Sequence, residues 1–338
     1  MAVFRRAGRR TNLTLLSLLV LALATGGLAF GIGSLPAASV IAVTHGALGV
    51  AVVLLIPWKS VIVRRARRRQ STHPGRVAGT MLGVLTVLCV LSGLVHALAG
   101  YRPVGPVTAL QVHVATALAL VPFLLGHVVS HPPQRPRRTD LSRRVLLRTA
   151  GLGAAGVGAY VALEGGSALL GLPGADRRGT GSTDIGSGAP ALMPVTQWLF
   201  DTVPTLGTEH RVRVDGLDLA RSELDGDDEV RAVLDCTGGW YAEQVWSGTR
   251  LDRLLGDLPT GTSIDVVSQA GYRRRFPASD AAGLLLATRA GGTLLSAGHG
   301  APVRLVAPGR RGFWWVKWVA EVTVVDAPWW RQSPFPLQ

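Results

Sequence analysis

Cys236 stands where a thiolate could bind a metal ion. It follows a predicted strand at residues 230–235, in the polar half of the chain. The three residues after it are Thr237, Gly238 and Gly239. A thiolate is a soft metal ligand, and glycines allow a bulky group to approach the backbone closely. The other cysteine, Cys89, lies in an apolar run, which excludes a disulfide framework. The alternative is that Cys236 is a small core residue.

A second string, at residues 299–318, places cations beside glycine turns. Its basic residues are His299, Arg304, Arg310, Arg311 and Lys317. Such groups hold phosphate by charge-assisted hydrogen bonds. The string is therefore suited to anchoring a phosphate-bearing ligand, and a solvated basic face is the alternative.

Four of the eight histidines lie in apolar stretches, where ionisable side chains are rare and usually functional. They are His45, His96, His113 and His127. Because His113 and His127 are 14 positions apart, they lie about 21 Å apart on one face of a helix. Membrane b-type cytochromes hold two haems on one helix at this spacing, and the span resembles theirs. Imidazole is an axial ligand of haem iron.

Depth in the membrane selects the partner of each histidine. His45 and His113 are at similar levels near the outer face, so we expect them to ligate one haem b. His96 is a competing ligand or a contact for a haem propionate. Whether His127 binds a second haem near the inner face is left open by the sequence. The other histidines at that inner level are His73 and His131. Histidines that are hydrogen-bonded inside a helix bundle are the alternative to haem ligands.

The composition places the two halves of the chain in different solvents. The 338 residues are 48% hydrophobic and 17% charged, whereas soluble domains have about 25% charged residues. The net charge of +14 is the sum of +17 in residues 1–150 and −3 in residues 151–338. The basic residues flank apolar stretches, so the charge indicates membrane topology and excludes a nucleic-acid partner.

Four stretches are long enough to cross a hydrocarbon core of about 30 Å as helices. They are residues 13–32, 37–58, 77–101 and 104–130. We expect a four-helix transmembrane bundle, because backbone that faces lipid must satisfy its own hydrogen bonds. A fifth hydrophobic segment follows residues 142–148, which resemble a twin-arginine export signal. The same segment is compatible with an ordinary anchor helix.

Loop charges predict the orientation. Seventeen Lys and Arg residues flank one side of the spans, and Arg102 alone lies on the other. The positive-inside rule places the N-terminus in the cytoplasm and the C-terminal half outside it. We therefore predict a multi-pass protein of the plasma membrane.

The predicted domain order follows from these shifts in composition. It is a transmembrane cytochrome b-like domain at 1–134, the twin-arginine-like segment and fifth helix at 135–172, a linker at 173–194, an extracytoplasmic domain at 195–328 and a tail at 329–338. Short alternating runs in the extracytoplasmic domain predict an α+β fold. The expected strands are 210–216, 230–235, 263–267, 301–306 and 316–325, with a short helix at 251–255.

The cysteine string and the basic string together resemble the sulfite oxidase family of molybdopterin enzymes, which includes the exported methionine sulfoxide reductases. The resemblance covers about residues 195–328. It implies that Cys236 binds molybdenum beside the pterin. It also implies that His299, Arg304 and Lys317 hold the pterin phosphate, with Arg310 and Arg311 in the adjoining turn as weaker candidates.

Two departures from the family bear on the substrate. Sulfite oxidases have an arginine where this chain has Tyr241 and a tyrosine where it has Thr288, so sulfite is not the expected substrate. We predict a molybdopterin-dependent oxidoreductase, of reductase type, whose haem b relay exchanges electrons between the quinone pool and an extracytoplasmic oxo-transfer site. The expected partners are membrane lipid, quinone or quinol, and a small-molecule or oxidised-protein substrate.

Two other classes of function are compatible with the same sequence. One is a non-catalytic membrane b-type cytochrome or redox sensor with a degenerate outer domain. The other is an integral membrane binding protein without either cofactor. Molybdenum and haem contents distinguish the three.

The predicted orientation can be tested with reporter fusions. Alkaline phosphatase fused after Gly181 should be active, because this position lies outside the cytoplasm. The same reporter fused after Arg68 should be inactive, because the loop there carries the cytoplasmic excess of Lys and Arg. A fluorescent protein that folds only in the cytoplasm is the control and should give the reverse pattern; phosphatase activity after Arg68 contradicts the orientation.

Overall fold

The chain forms two compact units. The computed structural model describes residues 8–68, 75–105, 107–132, 143–197, 202–207 and 209–335. The N-terminal unit comprises Met1–Phe30 and Leu35–Gly181, and the C-terminal unit comprises Gly31–Ser34 and Ser182–Gln338. Ser142 of the twin-arginine-like string and His73 lie outside the described residues.

The N-terminal unit is built from five long helices. They are α1 (Arg9–Gly31), α2 (Leu35–Arg68), α3 (Gly75–Ala99), α4 (Ala109–Ser130) and α5 (Arg143–Leu169). All five are long and apolar enough to cross a membrane. This confirms the expected helical region with five apolar segments.

The fourth helix begins later than its predicted span because a small hairpin precedes it. Strands β1 (Pro103–Val104) and β2 (Val107–Thr108) pair antiparallel. Thr108 then caps α4: its hydroxyl accepts from the backbone N–H of Gln111, and the Gln111 side chain accepts from the Thr108 N–H. The reciprocal cap fixes the helix start and places His113 in its second turn.

Two sets of helices pack within this unit. Leu18 of α1 and Ala51 and Val52 of α2 form a buried cluster against which Leu152 of α5 packs. A Cβ atom at Gly156 of α5 would lie 2.8 Å from the carbonyl oxygen of Ala47, so the absent side chain permits close helix approach. Helix α3 packs along α4.

The C-terminal unit consists of two sheets with short helices between strands. Its elements are β3 (Thr183–Asp184), β4 (Arg211–Val214), β5 (Leu217–Ala220), α6 (Arg221–Leu224), β6 (Asp228–Asp235), β7 (Trp240–Arg250), α7 (Leu251–Leu255), β8 (Ser263–Ser268), β9 (Arg273–Pro277), β10 (Leu285–Ala290), β11 (Thr293–Leu294), β12 (Arg304–Val306) and β13 (Val319–Val325). The first sheet has the order β11-β10-β7-β3, with β12 paired to β10 and β6 paired to β7. The second has the order β5-β4-β13-β8-β9.

The α+β fold is as expected, but the longest strand, β7, was not predicted from the sequence. Its even positions are buried, yet among them are Ala242, Gln244 and Gly248. These residues do not produce the alternation of large apolar and polar side chains that signals a strand. Gly248 is required because a Cβ atom there would overlap the carbonyl oxygen of Leu286 in β10.

The segment expected to be a linker differs from the prediction. The boundary between the units follows Gly181, and residues 182–194 are part of the C-terminal unit. β3 pairs parallel with the start of β7, through Thr183 beside Trp240. Met193 is buried. Gly, Ser and Pro residues make this segment look like a linker, but its backbone hydrogen bonds are made to the sheet.

Candidate functional site

Cys236 is placed by a tight turn between β6 and β7. Its backbone N–H donates to the carbonyl oxygen of Trp240 at 2.9 Å, and the Gly239 N–H donates to the Cys236 carbonyl at 3.2 Å. Gly239 has a φ of +94°, which side chains disfavour. The Gly238 N–H lies 3.4 Å from the Cys236 sulfur. The two glycines thus form the turn that holds the sulfur at the end of the sheet. The close approach of a ligand to their backbone, which the sequence suggests, stays a prediction.

The sulfur lines a pocket with aromatic walls and polar groups. The aromatic lining residues are Trp240, Tyr272, Phe313, Trp315 and Trp318. The polar lining residues include Cys236, Thr196, Thr237, His299, Arg304 and Lys317. Five of the residues selected from the sequence therefore meet in one pocket, although they come from two strings more than sixty positions apart.

Arg304 is a buried cation without a carboxylate partner in the described part of the chain. Its side chain is 1% exposed and lies over the rings of Trp246 and Trp315, at 5.1 and 5.5 Å. One guanidinium nitrogen donates to the carbonyl oxygen of His299 at 3.0 Å, while Nε has no hydrogen-bond partner. Burial lowers the pKa of Arg304 to about 10. An anion in the pocket would stabilise a buried, charged donor of this kind.

His299 is neutral and fully engaged by the protein. Burial, followed by the charge of Arg304, lowers the pKa of His299. Its Nε2 lies 3.1 Å from the carbonyl oxygen of Met193 and its Nδ1 lies 2.8 Å from the Ser296 hydroxyl. Since a carbonyl only accepts, Nε2 carries the proton and Nδ1 accepts from Ser296.

Lys317 is positioned at the pocket by hydrogen bonds to two backbone carbonyls and by the left-handed backbone conformation of Trp318. Its ammonium group donates to the carbonyl oxygens of Thr196 at 2.9 Å and Gly298 at 2.8 Å. The next residue, Trp318, has a φ of +52°, a conformation that costs about 1–3 kcal/mol. The Trp318 indole donates to the carbonyl of Ala297 at 2.8 Å, which stabilises this conformation.

Arg310 and Arg311 do not line the pocket, contrary to their expected contact with a cofactor. Arg310 pairs with Asp280 at 2.8 Å and lies over the Trp314 ring. Arg311 forms an ion pair with Asp235, and both side chains are almost fully buried. Both arginines thus have carboxylate partners and stabilise the fold. Their position in a basic turn of the sequence did not predict this structural role.

The Asp235–Arg311 pair fixes the backbone of Cys236. Asp235 also accepts a hydrogen bond from Ser182 at 2.7 Å. A Cβ atom at Gly312 would lie 3.0 Å from the Cα of Cys236, so the chain after Arg311 passes directly against the cysteine. The ion pair therefore joins the two strings of the site.

The electrostatic surroundings of the Cys236 thiol act in opposite directions. Burial raises the pKa of the Cys236 thiol. The Gly238 N–H, the Lys317 charge and a hydrogen bond with Thr196 oppose this rise. All three stabilise a thiolate, which is the form that binds a metal.

Thr196 is a site residue that the sequence analysis missed. Its hydroxyl accepts from the Trp240 indole at 2.8 Å, and it lines the same pocket as the Cys236 sulfur. It lies forty positions before Cys236 in a segment without regular structure. No local pattern marks such a residue, because its place follows from tertiary contacts alone.

In the N-terminal unit, the imidazoles of His45 and His113 come together. Their ring centroids are 5.8 Å apart and their planes are perpendicular. Nδ1 of His45 lies 3.1 Å from the carbonyl oxygen of Ala22, and Nδ1 of His113 lies 2.8 Å from that of Cys89. The two Nδ1 atoms are thus engaged with backbone, the arrangement that orients metal-binding histidines.

The other two candidate histidines lie apart from this pair. Nε2 of His96 lies 3.0 Å from the carbonyl oxygen of Gly181. His127 stacks on His131 with centroids 5.0 Å apart, and its buried Nδ1 has no hydrogen-bond partner in the part of the chain that the structure describes. No group of three or more His, Cys, Asp or Glu arranged to hold a metal ion occurs within the described ranges.

Comparison with known proteins assigns the C-terminal unit. Residues 202–333 match the oxidoreductase molybdopterin binding domain. The C-terminal unit carries a domain of this family. Among solved structures, the chain is similar to the sulfane dehydrogenase SoxCD from Paracoccus pantotrophus, with 25% identity and a TM-score of 0.35 over 37% of this chain and 41% of that one. The chain thus spans less than half the length of that relative. No curated protein matches the chain.

The pocket in this molybdopterin-binding domain fits a phosphate-bearing, ring-containing cofactor. The unpartnered Nε of Arg304 provides a donor for an anion, the aromatic walls suit a flat ring system, and the Cys236 sulfur provides a soft metal ligand. Arg304, Lys317 and Cys236 are the residues that would hold the phosphate and the metal.

The ion pair behind Cys236 gives a prediction for stability. Arg311→Met should lower the free energy of unfolding by about 3–5 kcal/mol, because it leaves the buried Asp235 carboxylate without its cation. The double variant Arg311→Met/Asp235→Asn should recover most of this loss. The measurement is the midpoint of thermal unfolding of the detergent-solubilised protein.

Arg310→Met is the matched control. Its ion pair with Asp280 is about one-third exposed on both sides, so its loss should cost less than about 1 kcal/mol. Equal losses for the two arginine variants, or no recovery in the double variant, contradict the clamping role of Arg311.

Proposed function

We propose that the protein is a membrane-anchored molybdopterin-dependent oxidoreductase that reduces an oxidised substrate outside the cytoplasm with electrons from quinol. The observation that carries the proposal is that the Cys236 sulfur meets, in one pocket, the buried Arg304, which has no carboxylate partner among the described residues. A cysteine and a cation awaiting an anion are what a metal-dithiolene cofactor with a phosphate tail requires.

The chain's own residues have separate tasks around that cofactor. Cys236 fixes the metal, and Arg304 and Lys317 bind the phosphate by charge-assisted hydrogen bonds. The backbone carbonyl oxygen of His299 accepts a hydrogen bond from the Arg304 guanidinium at 3.0 Å. His299 therefore helps to position the guanidinium. When bound, the molybdenum cofactor supplies two-electron oxo-transfer chemistry, while the protein supplies binding, orientation and electrostatics.

A reductase reaction balances with quinol as the electron donor. Quinol releases two electrons and two protons to become quinone. A sulfoxide or an N-oxide takes up two electrons and two protons, and its oxygen leaves as water. Sulfite is not the substrate we propose, because Thr288 is buried and donates to Asp225 at 2.6 Å, and Tyr241 replaces the other sulfite oxidase residue.

His45 and His113 are proposed to hold a haem b that carries electrons between quinol and the pocket. Their ring centroids are 5.8 Å apart. The two Nδ1 atoms are engaged with backbone carbonyls, an arrangement typical of histidines that bind a metal through the other ring nitrogen. Gly93 leaves room for one ligand, because a Cβ atom there would lie 2.9 Å from Nδ1 of His113.

The membrane orientation and export route complete the proposal. The five apolar helices anchor the chain in the plasma membrane, with the N-terminus in the cytoplasm. The twin-arginine-like string, whose arginines lie in the first turns of α5, suits the export of a domain that folds around its cofactor in the cytoplasm. Haem, molybdenum, lipid and quinol are thus the partners, together with a small-molecule or oxidised-protein substrate.

Cys236→Ser tests the metal site and the direction of the reaction together. In the wild type, we expect about one molybdenum per chain, and haem reduced by a quinol analogue should be reoxidised when a sulfoxide or N-oxide is added. The variant should lose substrate-driven reoxidation and retain haem, because the thiolate is the metal ligand. Elemental analysis and the optical spectrum provide the two measurements.

The outcomes separate the alternatives. Haem without molybdenum in the wild type supports a non-catalytic cytochrome or redox sensor, and turnover in Cys236→Ser contradicts the thiolate role. Molybdenum without reoxidation by any oxidised substrate contradicts the reductase direction.

Variants of the histidines test the haem site. His45→Ala and His113→Ala should each abolish the reduced-minus-oxidised b-type spectrum while leaving the molybdenum content unchanged, because each removes one of the two imidazoles that would bind the haem iron. His96→Ala is the matched control and should retain the spectrum, since its Nε2 is engaged with Gly181. A spectrum that survives loss of either His45 or His113 would falsify this ligand pair.

A further inference from the structure

We propose that Trp329 and Trp330 bind the surface of the lipid bilayer, with their indole rings at the level of the lipid headgroups. The C-terminal unit then has a membrane contact of its own, additional to the five apolar helices. The inference goes beyond the proposed function and does not depend on it, because neither tryptophan lines the pocket.

The two tryptophans are large apolar side chains that the fold leaves exposed. Trp329 is 39% exposed and Trp330 is 67% exposed. The other tryptophans of this unit that the structure describes are buried or half-buried. Adjacent exposed apolar side chains of this size mark a surface that binds a partner.

The segment that carries the tryptophans is fixed to the edge of the second sheet. The Gln332 side chain accepts from the backbone N–H of Arg275 at 3.0 Å and donates to its carbonyl oxygen at 2.7 Å. Gln332 thus pairs with β9 as a neighbouring strand would. The buried Arg274 guanidinium donates to the carbonyl oxygen of Ser333 at 2.7 Å. The tryptophans are therefore exposed on an anchored segment and not on a free tail.

Trp329 and Trp330 lie in a turn beside Arg310. The turn is closed by the backbone N–H of Arg331, which donates to the carbonyl oxygen of Pro328 at 3.0 Å. The Arg310 guanidinium lies 5.9 Å from the ring centroid of Trp329. This contact links the tryptophan turn to the segment at residues 309–311.

The segment at residues 309–311 also packs against a connection between two membrane helices. Gly31–Ser34 belong to the C-terminal unit, and they join the end of α1 to the start of α2. A Cβ atom at Gly33 would lie 3.3 Å from the backbone nitrogen of Arg311. A Cβ atom at Gly31 would lie 3.9 Å from the Phe335 ring. The residues that contact this connection therefore flank the tryptophan turn in space and in sequence.

The connection identifies lipid as the partner. Both α1 and α2 are long and apolar enough to cross a membrane, so the short turn between them lies where the hydrocarbon core ends. Tryptophan is enriched at that level, because its ring combines an apolar body with a polar N–H. The exposed Arg331 adds a cation that suits lipid phosphate.

Fluorescence quenching in brominated bilayers tests the contact. The full-length protein is reconstituted in lipids that carry bromine near the headgroup end of the acyl chains, where bromine quenches indoles on contact. Of the nine tryptophans, we expect Trp329, Trp330 and Trp58 of α2 to contact lipid. Trp329→Phe/Trp330→Phe should therefore lose about two-thirds of the bromine-dependent quenching. Iodide, which quenches indoles in water, provides the second measurement.

Trp330→Phe alone is the second variant, for the case in which the double variant fails to fold. It changes only the more exposed of the two side chains, and it should lose about one-third of the bromine-dependent quenching. An unchanged midpoint of thermal unfolding verifies the fold of each variant.

Leu217→Trp, introduced into the double variant, is the matched control. Leu217 is 61% exposed and begins β5, at the opposite edge of the sheet from β9. Four strand spacings of about 4.8 Å separate the two edges by about 19 Å. The new indole should be quenched by iodide and be insensitive to brominated lipid.

Each outcome supports the lipid contact or overturns it. Equal bromine-dependent quenching in the wild type and the double variant overturns the contact. If iodide quenches the fluorescence that the double variant removes, the tryptophans face water and the contact is also overturned. If neither agent quenches that fluorescence, protein covers the tryptophans, such as a second copy of the chain, and lipid is the wrong partner. Molybdenum and haem contents test the proposed function separately.

Discussion

The charge on Arg304 is the constraint around which the pocket is organised. A guanidinium buried between two indole rings is costly to keep ionised, and its lowered pKa reflects that cost. The fold gives Arg311 a carboxylate at a similar depth, whereas no carboxylate pairs with Arg304 among the residues that the structure describes. Arg311 thus stabilises the fold, and Arg304 is the arginine for which we propose an anionic ligand.

The membrane helices were the easiest part of the fold to predict. Burial in lipid demands long uncharged runs. These runs locate the starts of α1–α5 to within about five residues, whereas α2 continues to Arg68, ten residues past its predicted end. The ends were less certain, as the capping hairpin before α4 shows. In the C-terminal unit, β6, β8 and α7 followed their patterns closely. β7 did not, because its buried face uses Ala242, Gln244 and Gly248 where the partner strands leave little room.

The candidate site also contains some residues that the sequence predicts and others whose role depends on tertiary contacts. Cys236, Arg304 and Lys317 could be selected from the sequence because their residue types and adjacent glycines suit a metal-bearing, phosphate-bearing ligand. Arg310 and Arg311 have the same composition around them, and only the positions of Asp280 and Asp235 show that they serve the fold. Thr196 has no such signature. Its importance depends on Trp240 and Cys236 being brought to it by the sheet.

The parallel strand β3 determines which residues must be included when the C-terminal unit is transferred to another protein. The matched family region begins at residue 202, but Ser182 bonds to Asp235, Thr183 pairs with Trp240 and Thr196 lines the pocket. A transplant that starts at residue 202 would arrive without these contacts, leaving Asp235 short of a donor and one wall of the pocket missing. The portable module therefore starts at Ser182, directly after the last residue of the N-terminal unit.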